Sequence, residues 1–256
     1  MTKIVLSGAC GRMGRVIAEL VRESYSDQCR IVAGVDLIGE RYADFPVYPN
    51  VNGVKESADV AVDFSHPSTL TDCDLLSYCK IKNLPLVLAT TGYGEDAIMQ
   101  IKSASAQIPI FFTFNMSLGI NLLQDLAKRA VRVLGNRFDV EIVEKHHNRK
   151  KDAPSGTAIM LAESVNAELN GQRRYVYDRH NVLKPREKDE IGVHSVRGGT
   201  IVGEHEVIFA GHDEIITLSH SALSREVFAV GALNAALFLV GKQSGLYNMS
   251  DLLNNA

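Results

Sequence analysis

The chain has 256 residues, 46% of them hydrophobic and 22% charged, which excludes a disordered or fibrous protein. With 27 basic and 30 acidic side chains the net charge is −3, and no run of like charges forms the basic face a nucleic-acid reader usually carries. No stretch approaches the ~20 consecutive apolar residues of a membrane helix, and Met1–Ile4 lead directly into a strand-like run without a signal-peptide core.

The first ~115 residues alternate short apolar runs with helical patterns. Ile4–Leu6, Ile31–Ala33, Val60–Val62, Leu86–Leu88 and Ile110–Phe112 read as buried strands of a parallel sheet, because both faces of such a sheet are covered. Between the first two, Met13, Val16, Ile17, Leu20 and Val21 mark one face of an amphipathic helix. Strand, helix, strand in this order predicts a right-handed βαβ unit.

The rhythm then changes. A long helix (118–133) leads to a strand (139–144), a polar His- and Lys-rich loop and a helix (156–169). Residues 172–197 are polar and weakly patterned, and read as a long loop of the functional or mobile kind. Ile201–Phe209 and Glu214–His220 alternate as antiparallel strands, and the apolar Val227–Val240 segment reads as a final helix that returns to the first domain. The expected class is α/β. A dinucleotide-binding domain spans 1–116 and is completed by 226–256, and an inserted α+β domain with a mixed sheet spans 117–225.

Right after the first strand, Gly8-Ala9-Cys10-Gly11-Arg12-Met13-Gly14 opens a helix. Glycines at these places let backbone N–H groups approach a pyrophosphate at the positive helix end. Asp36 ends the second strand, 22 residues after Gly14, where a carboxylate accepts hydrogen bonds from the adenosine ribose. Such a carboxylate favours NAD, although Arg12 and Arg41 offer charge for a 2′-phosphate. Ala89-Thr90-Thr91-Gly92 and Thr113-Phe114-Asn115-Met116-Ser117 end the fourth and fifth strands, at the carboxyl edge where ligands of open sheets bind. Read singly, each is an ordinary polar loop.

The densest chemistry is the run from Glu144 through Lys145, His146, His147, Asn148, Arg149, Lys150, Lys151, Asp152, Ala153 and Pro154 to Ser155, Gly156, Thr157 and Ala158. Adjacent histidines with lysines can transfer protons near neutral pH, and the helix opening at Ser155–Thr157 can bind carboxylates. By itself the pair of histidines reads as a solvated basic loop with structural histidines. A zinc site is the weaker rival, since no cysteine or third ligand has metal-like spacing here. Cys10, Cys29, Cys73 and Cys79 show no C-x-x-C spacing and read as reduced thiols of a cytoplasmic protein.

The glycine loop in the form G-A-x-G-R-M-G, the run E-K-H-H-N-R-K-K-D-A-P-S-G-T-A and the later Arg197-Gly198-Gly199-Thr200-Ile201-Val202-Gly203-Glu204-His205 resemble the 4-hydroxy-tetrahydrodipicolinate (dihydrodipicolinate) reductases of the diaminopimelate route to lysine. The likeness runs along essentially the whole chain. It implies a Rossmann first domain and NAD(P)H-dependent reduction of a cyclic dicarboxylate with loss of water. It further implies His146 as the acid/base residue and Lys150 as proton donor, with His147, Ser155, Gly156 and Thr157 on the substrate's carboxylates.

The same likeness places the pyrophosphate on Gly8, Ala9, Cys10, Gly11, Arg12 and Met13, and the adenosine ribose on Asp36. Ala89, Thr90, Thr91, Thr113, Phe114, Asn115 and Met116 would line the nicotinamide, and four copies would assemble through the second domain's sheet. Met116 stands where phenylalanine is frequent and Ala89 where glycine is common. Leu37 stands where some members carry an arginine for the 2′-phosphate, so NADH is expected to serve at least as well as NADPH. His205 is expected to support the site. The competing readings are a dehydrogenase of another imino or keto dicarboxylate and a non-catalytic NAD(P) sensor, which would have no reason for the His/Lys run.

Overall fold

The computed structural model describes residues 1–39, 41–72, 74–180 and 182–255, with backbone alone at residues 71 and 72. Cys73 lies outside the described residues; Cys29 and Cys79 are buried thiols, and Cys10 is half-buried. The chain divides into two compact units, Met1–Leu118 with Glu226–Ala256, and Gly119–Arg225.

The first unit begins with β1 (Thr2–Ser7), α1 (Arg12–Ser24), β2 (Cys29–Val35), β3 (Val47–Tyr48) and β4 (Val60–Asp63). It continues through α2 (Thr69–Asp72), α3 (Leu75–Lys82), β5 (Leu86–Leu88), α4 (Glu95–Ser105) and β6 (Pro109–Phe112). The second unit holds α5 (Leu118–Leu134), β7 (Asp139–His146), α6 (Gly156–Glu168), β8 (Arg174–Val176), β9 (Glu190–Arg197), β10 (Gly203–Ala210) and β11 (Ile215–Ala222). The chain then rejoins the first unit through α7 (Glu226–Leu239), β12 (Gly245–Tyr247) and α8 (Met249–Leu253).

Seven strands of the first unit form one parallel sheet in the order β12-β6-β5-β4-β1-β2-β3. Ile4 and Leu6 of β1 point to one face, where α1 and α7 bring Ile17, Val21, Ala232 and Leu233. Val5 points to the other, where α3 and α4 bring Leu75, Leu76, Ile101 and Ala104. Burial on both sides is why these strands read as unbroken apolar runs instead of alternating ones. The small residues of α7 permit close approach: a Cβ on Gly231 would sit 1.6 Å from the Met116 carbonyl oxygen. The Val227–Val240 segment is not the final helix that its sequence suggests, since β12 and α8 follow it. A three-residue strand and a five-residue helix are too short to show a period.

The second unit is a mixed five-stranded sheet, β11-β10-β7-β9-β8, in which β10 runs antiparallel to β7 and β11 while β7, β8 and β9 are parallel. Helices α5 and α6 cover one face, burying Leu123, Ala127, Leu161 and Val165 against Val140, Ile142, Ile191, Val193, Val207 and Phe209.

One expectation fails here. Residues 172–197 are not a long loop, since they contain β8 and all of β9. Their polarity hid the strand, because the charges are matched in place. Glu190, only 3% exposed, pairs with Arg174 and with Arg179 (2.6 Å), and His194 Nε2 lies 2.7 Å from Glu141. Among the described residues, no helix is long and apolar enough to cross a membrane.

Candidate active site

In the first unit the chemistry-bearing loops all leave the carboxyl ends of strands. After β1 the chain turns at Gly8 (φ 76°), whose N–H, with that of Ala9, donates to the Val35 carbonyl at 2.9 and 3.2 Å. The loop is therefore tied to the end of β2. A Cβ on Gly8 would lie 2.4 Å from the Phe64 carbonyl oxygen, and one on Gly14 would lie 2.3 Å from that of Gly8. Backbone touches backbone at both places, so only glycine fits. Gly11 precedes α1 and offers no side chain to cap the leading N–H groups, which suits a helix end that receives a phosphate.

Asp36 follows β2, its Oδ2 accepting from Cys10 N (2.9 Å) and its Oδ1 from Ile38 N (3.2 Å). Arg12 is exposed at the first helical position, and Met13 packs half-buried against the core. Together these residues form a cradle and a carboxylate that fit a dinucleotide.

After β5, Ala89 and Thr90 are buried and Thr91 is exposed. After β6, Thr113 Oγ1 donates to the Asn115 carbonyl (3.2 Å), and Phe114 is 74% exposed with its ring edge-on to Phe112. Met116 is buried, with its side chain among the core residues.

In the second unit β7 carries an exception to its own pattern. Val140, Ile142 and Glu144 share the helix-covered face, and Glu144 is fully buried there. Its Oε2 lies 2.6 Å from His146 Nδ1, while Arg197 donates to both oxygens at 2.7 and 2.8 Å and Ser155 N donates to Oε1 at 3.0 Å. Burial by itself would raise the carboxyl, but the donors Arg197, His146, Ser195 and the Ser155 N–H bring it down to about 2. An ionised carboxylate only accepts, so His146 carries a proton on Nδ1, and its Nε2 takes no part in that pair. A Cβ on Gly203 of β10 would reach within 3.2 Å of that Nε2, so the glycine keeps the space beside it open.

Ser155 caps α6. Its Oγ accepts from Ala158 N (3.2 Å) and lies 3.1 Å from Nε2 of the buried His205. The Ser155 hydroxyl can give its hydrogen to Nε2 of a neutral His205 or accept one from it, according to the tautomer of the ring. Burial first, then the nearby His146, lower His205 to about 4. Its ring meets that of His146 edge to face, 5.2 Å between centroids.

The rest of the run folds around this pair. Lys150 N donates to the His147 carbonyl (3.1 Å), closing a turn, and Lys150 Nζ sits 2.8 Å from Asp152. The Nδ1 of His147 is buried without a hydrogen-bond partner. Gly156, the first residue of α6, is exposed, with open space where a side chain would stand. The third sequence motif lies alongside. Gly198 N donates to the His146 carbonyl (2.9 Å), Asn148 N to that of Gly199 (3.3 Å) and Arg197 to that of Asp152 (2.7 Å). Sequence reasoning gave no role to Glu144 or Arg197. The signal available was a carboxylate on the face of β7 where alternation calls for an apolar side chain.

A family model described as "Dihydrodipicolinate reductase, N-terminus" matches residues 2–116, and one described as "Dihydrodipicolinate reductase, C-terminus" matches residues 119–253. A 4-hydroxy-tetrahydrodipicolinate reductase of Caldanaerobacter subterraneus subsp. tengcongensis is 51% identical, over 99% of this chain and 98% of that protein. One of Clostridium tetani is 48% identical, over 100% of this chain and 98% of that protein. Among solved structures, a dipicolinate-bound dihydrodipicolinate reductase from Paenisporosarcina sp. TG-14 has the same fold, with a TM-score of 0.77 at 23% identity over 97% of each chain. The chain thus belongs to the dihydrodipicolinate reductase family, and it is an NAD(P)-dependent oxidoreductase of lysine biosynthesis.

Proposed function

We propose that His146 and Lys150 carry the proton chemistry by which this chain converts 4-hydroxy-tetrahydrodipicolinate to tetrahydrodipicolinate. The observation that carries this reading is the Glu144–His146 pair beside the start of α6. Overall one hydride and one proton enter the substrate and one water leaves. Bound NAD(P)H supplies the hydride.

His146 exchanges a proton with the substrate through Nε2, and the buried Glu144 carboxylate both fixes the ring and stabilises its charged form. Lys150, held by Asp152, donates a proton to the ring. His147 and the α6 N-terminus at Gly156 and Thr157 receive the carboxylates, because helix N–H groups favour anions. Ser155 spends its hydroxyl inward, so its contribution to substrate binding is to set the start of that helix.

In the first unit, Gly8 to Met13 hold the pyrophosphate and Asp36 the ribose, while Ala89 to Thr91 and Thr113 to Met116 wall the nicotinamide. We infer that NADH serves at least as well as NADPH. The Asp36 carboxylate disfavours a 2′-phosphate, Leu37 brings no charge, and Arg41 already donates to the carbonyls of Ala43 (3.1 Å) and Asp44 (3.2 Å). Apolar surface at Ile215 and Leu223, on and just past β11, supports assembly through the second unit's sheet into a homotetramer. The buried thiols of Cys29 and Cys79 suit a cytoplasmic enzyme.

The test is a pair of variants. His146→Gln and Lys150→Met each lower kcat by about 10²–10⁴, the usual worth of acid–base catalysis, with NADH affinity unchanged. Near-unaltered turnover by His146→Gln refutes its assignment.

A further inference from the structure

The mechanism leaves one fully buried carboxylate unused, Asp63 at the carboxyl end of β4. Among the described residues it is bonded to no lysine or arginine; its partners are hydroxyls. Ser65 Oγ donates to Oδ1 at 2.5 Å, while Thr90 Oγ1 and the Tyr93 phenol donate to Oδ2 at 2.6 and 3.2 Å. Thr90 Oγ1 in turn accepts from Ser65 N (2.9 Å), so the loops after β4 and β5 are joined through one side chain.

The backbone closes the same circuit. Ala89 N donates to the Asp63 carbonyl (3.0 Å) and Phe64 N to that of Ser7 (3.0 Å). The Phe64 carbonyl and Ser65 N are the atoms that a Cβ on Gly8 would strike, at 2.4 and 2.9 Å. Three loops at the ends of β1, β4 and β5 therefore rest on Asp63.

We propose that Asp63 is a positioning residue for the dinucleotide. Without touching it, Asp63 fixes the 64–68 and 89–93 loops against the glycine turn so that cradle and nicotinamide wall are built before the cofactor arrives. A buried polar group that served the fold alone would be cheaper as an apolar side chain of similar size. Here the carboxylate aligns three hydroxyl donors from two loops, an arrangement whose product is loop geometry. The inference rests on the reading that these strand-end loops hold NAD(P)H.

The experiment is a titration of NADH, followed by its own fluorescence, into the full-length protein and three variants, with melting temperatures taken without cofactor. Asp63→Asn, which has a single acceptor oxygen for three donors, weakens NADH binding by about tenfold or more. Ser65→Ala and Tyr93→Phe each remove one donor at little cost to shape, and weaken it by about two- to fivefold while leaving a folded protein. If the unaltered chain binds neither NADH nor NADPH, the nucleotide reading fails and this inference with it. If the unaltered chain binds but Ser65→Ala and Tyr93→Phe bind as tightly as it does, whatever their melting temperatures, Asp63 serves the fold alone and the inference is overturned.

Discussion

Glu144 Oε2 lies 2.6 Å from His146 Nδ1, and the other oxygen of the same carboxylate accepts the Ser155 N–H at the start of α6. One buried charge thus orients the proposed acid/base residue and anchors the helix end proposed to receive the substrate's carboxylates. Both tasks depend on its being ionised, which Arg197 secures with two hydrogen bonds. Replacing Glu144 by Gln leaves one acceptor oxygen where the carboxylate offers two, and an uncompensated Arg197. The expected result is a kcat lower by about 10–100-fold, the range typical of partners that orient a reactive histidine, with NADH affinity unchanged. Steady-state kinetics beside a cofactor titration checks this; a kcat within twofold of the unaltered enzyme contradicts it.

His205 links stability to pH. Its folded-state value, about 4, lies below the ordinary histidine value of 6.5, so the unfolded chain binds the extra proton first as pH falls. The stabilisation from burying the neutral ring is complete above 6.5, declines as pH drops from 6.5 to about 4, and is gone below that. Melting temperatures across this window therefore fall more steeply for the unaltered protein than for His205→Gln. Parallel curves contradict the assignment.

The proposed cofactor choice turns on the residue after Asp36. Leu37 is 80% exposed and uncharged. An arginine there places a guanidinium where a 2′-phosphate would be recognised. Leu37→Arg is expected to raise kcat/KM for NADPH relative to NADH by about tenfold. An unchanged ratio means the ribose does not sit beside Asp36.

Gly14 is required for space. A methyl group there meets the carbonyl oxygens of Gly8 and Ala9 at 2.3 and 2.4 Å, both backbone atoms with little freedom to move. Gly14→Ala must push α1 away from the loop, so KM for the cofactor rises by about tenfold or more and the melting temperature falls. Normal cofactor affinity in this variant contradicts the cradle described here.

Much of this was legible in the residues. The parallel sheet was, because strands covered on both faces leave continuous apolar runs such as Ile4–Leu6 and Leu86–Leu88. The start of α6 was, because Ser155 is a good N-cap in sequence and is one in the structure. β9 was not, since Glu190, His194 and Arg197 make a strand look like a loop until their partners on other elements are known. The same holds for Glu144, whose partners lie 2, 11 and 53 residues away and come together only when β7 pairs with β9. Charges that are satisfied by distant residues leave at most a break in the local pattern, as Glu144 does on the apolar face of β7.

The most direct test of the central claim is a coupled assay. Dihydrodipicolinate synthase, pyruvate and aspartate semialdehyde generate the labile cyclic substrate in place, and the absorbance of NADH or NADPH is followed after the purified chain is added. Oxidation that requires every component, at least as fast with NADH as with NADPH, is the predicted result. A folded protein that binds NADH yet oxidises neither cofactor under these conditions contradicts the assignment of this reaction to the chain.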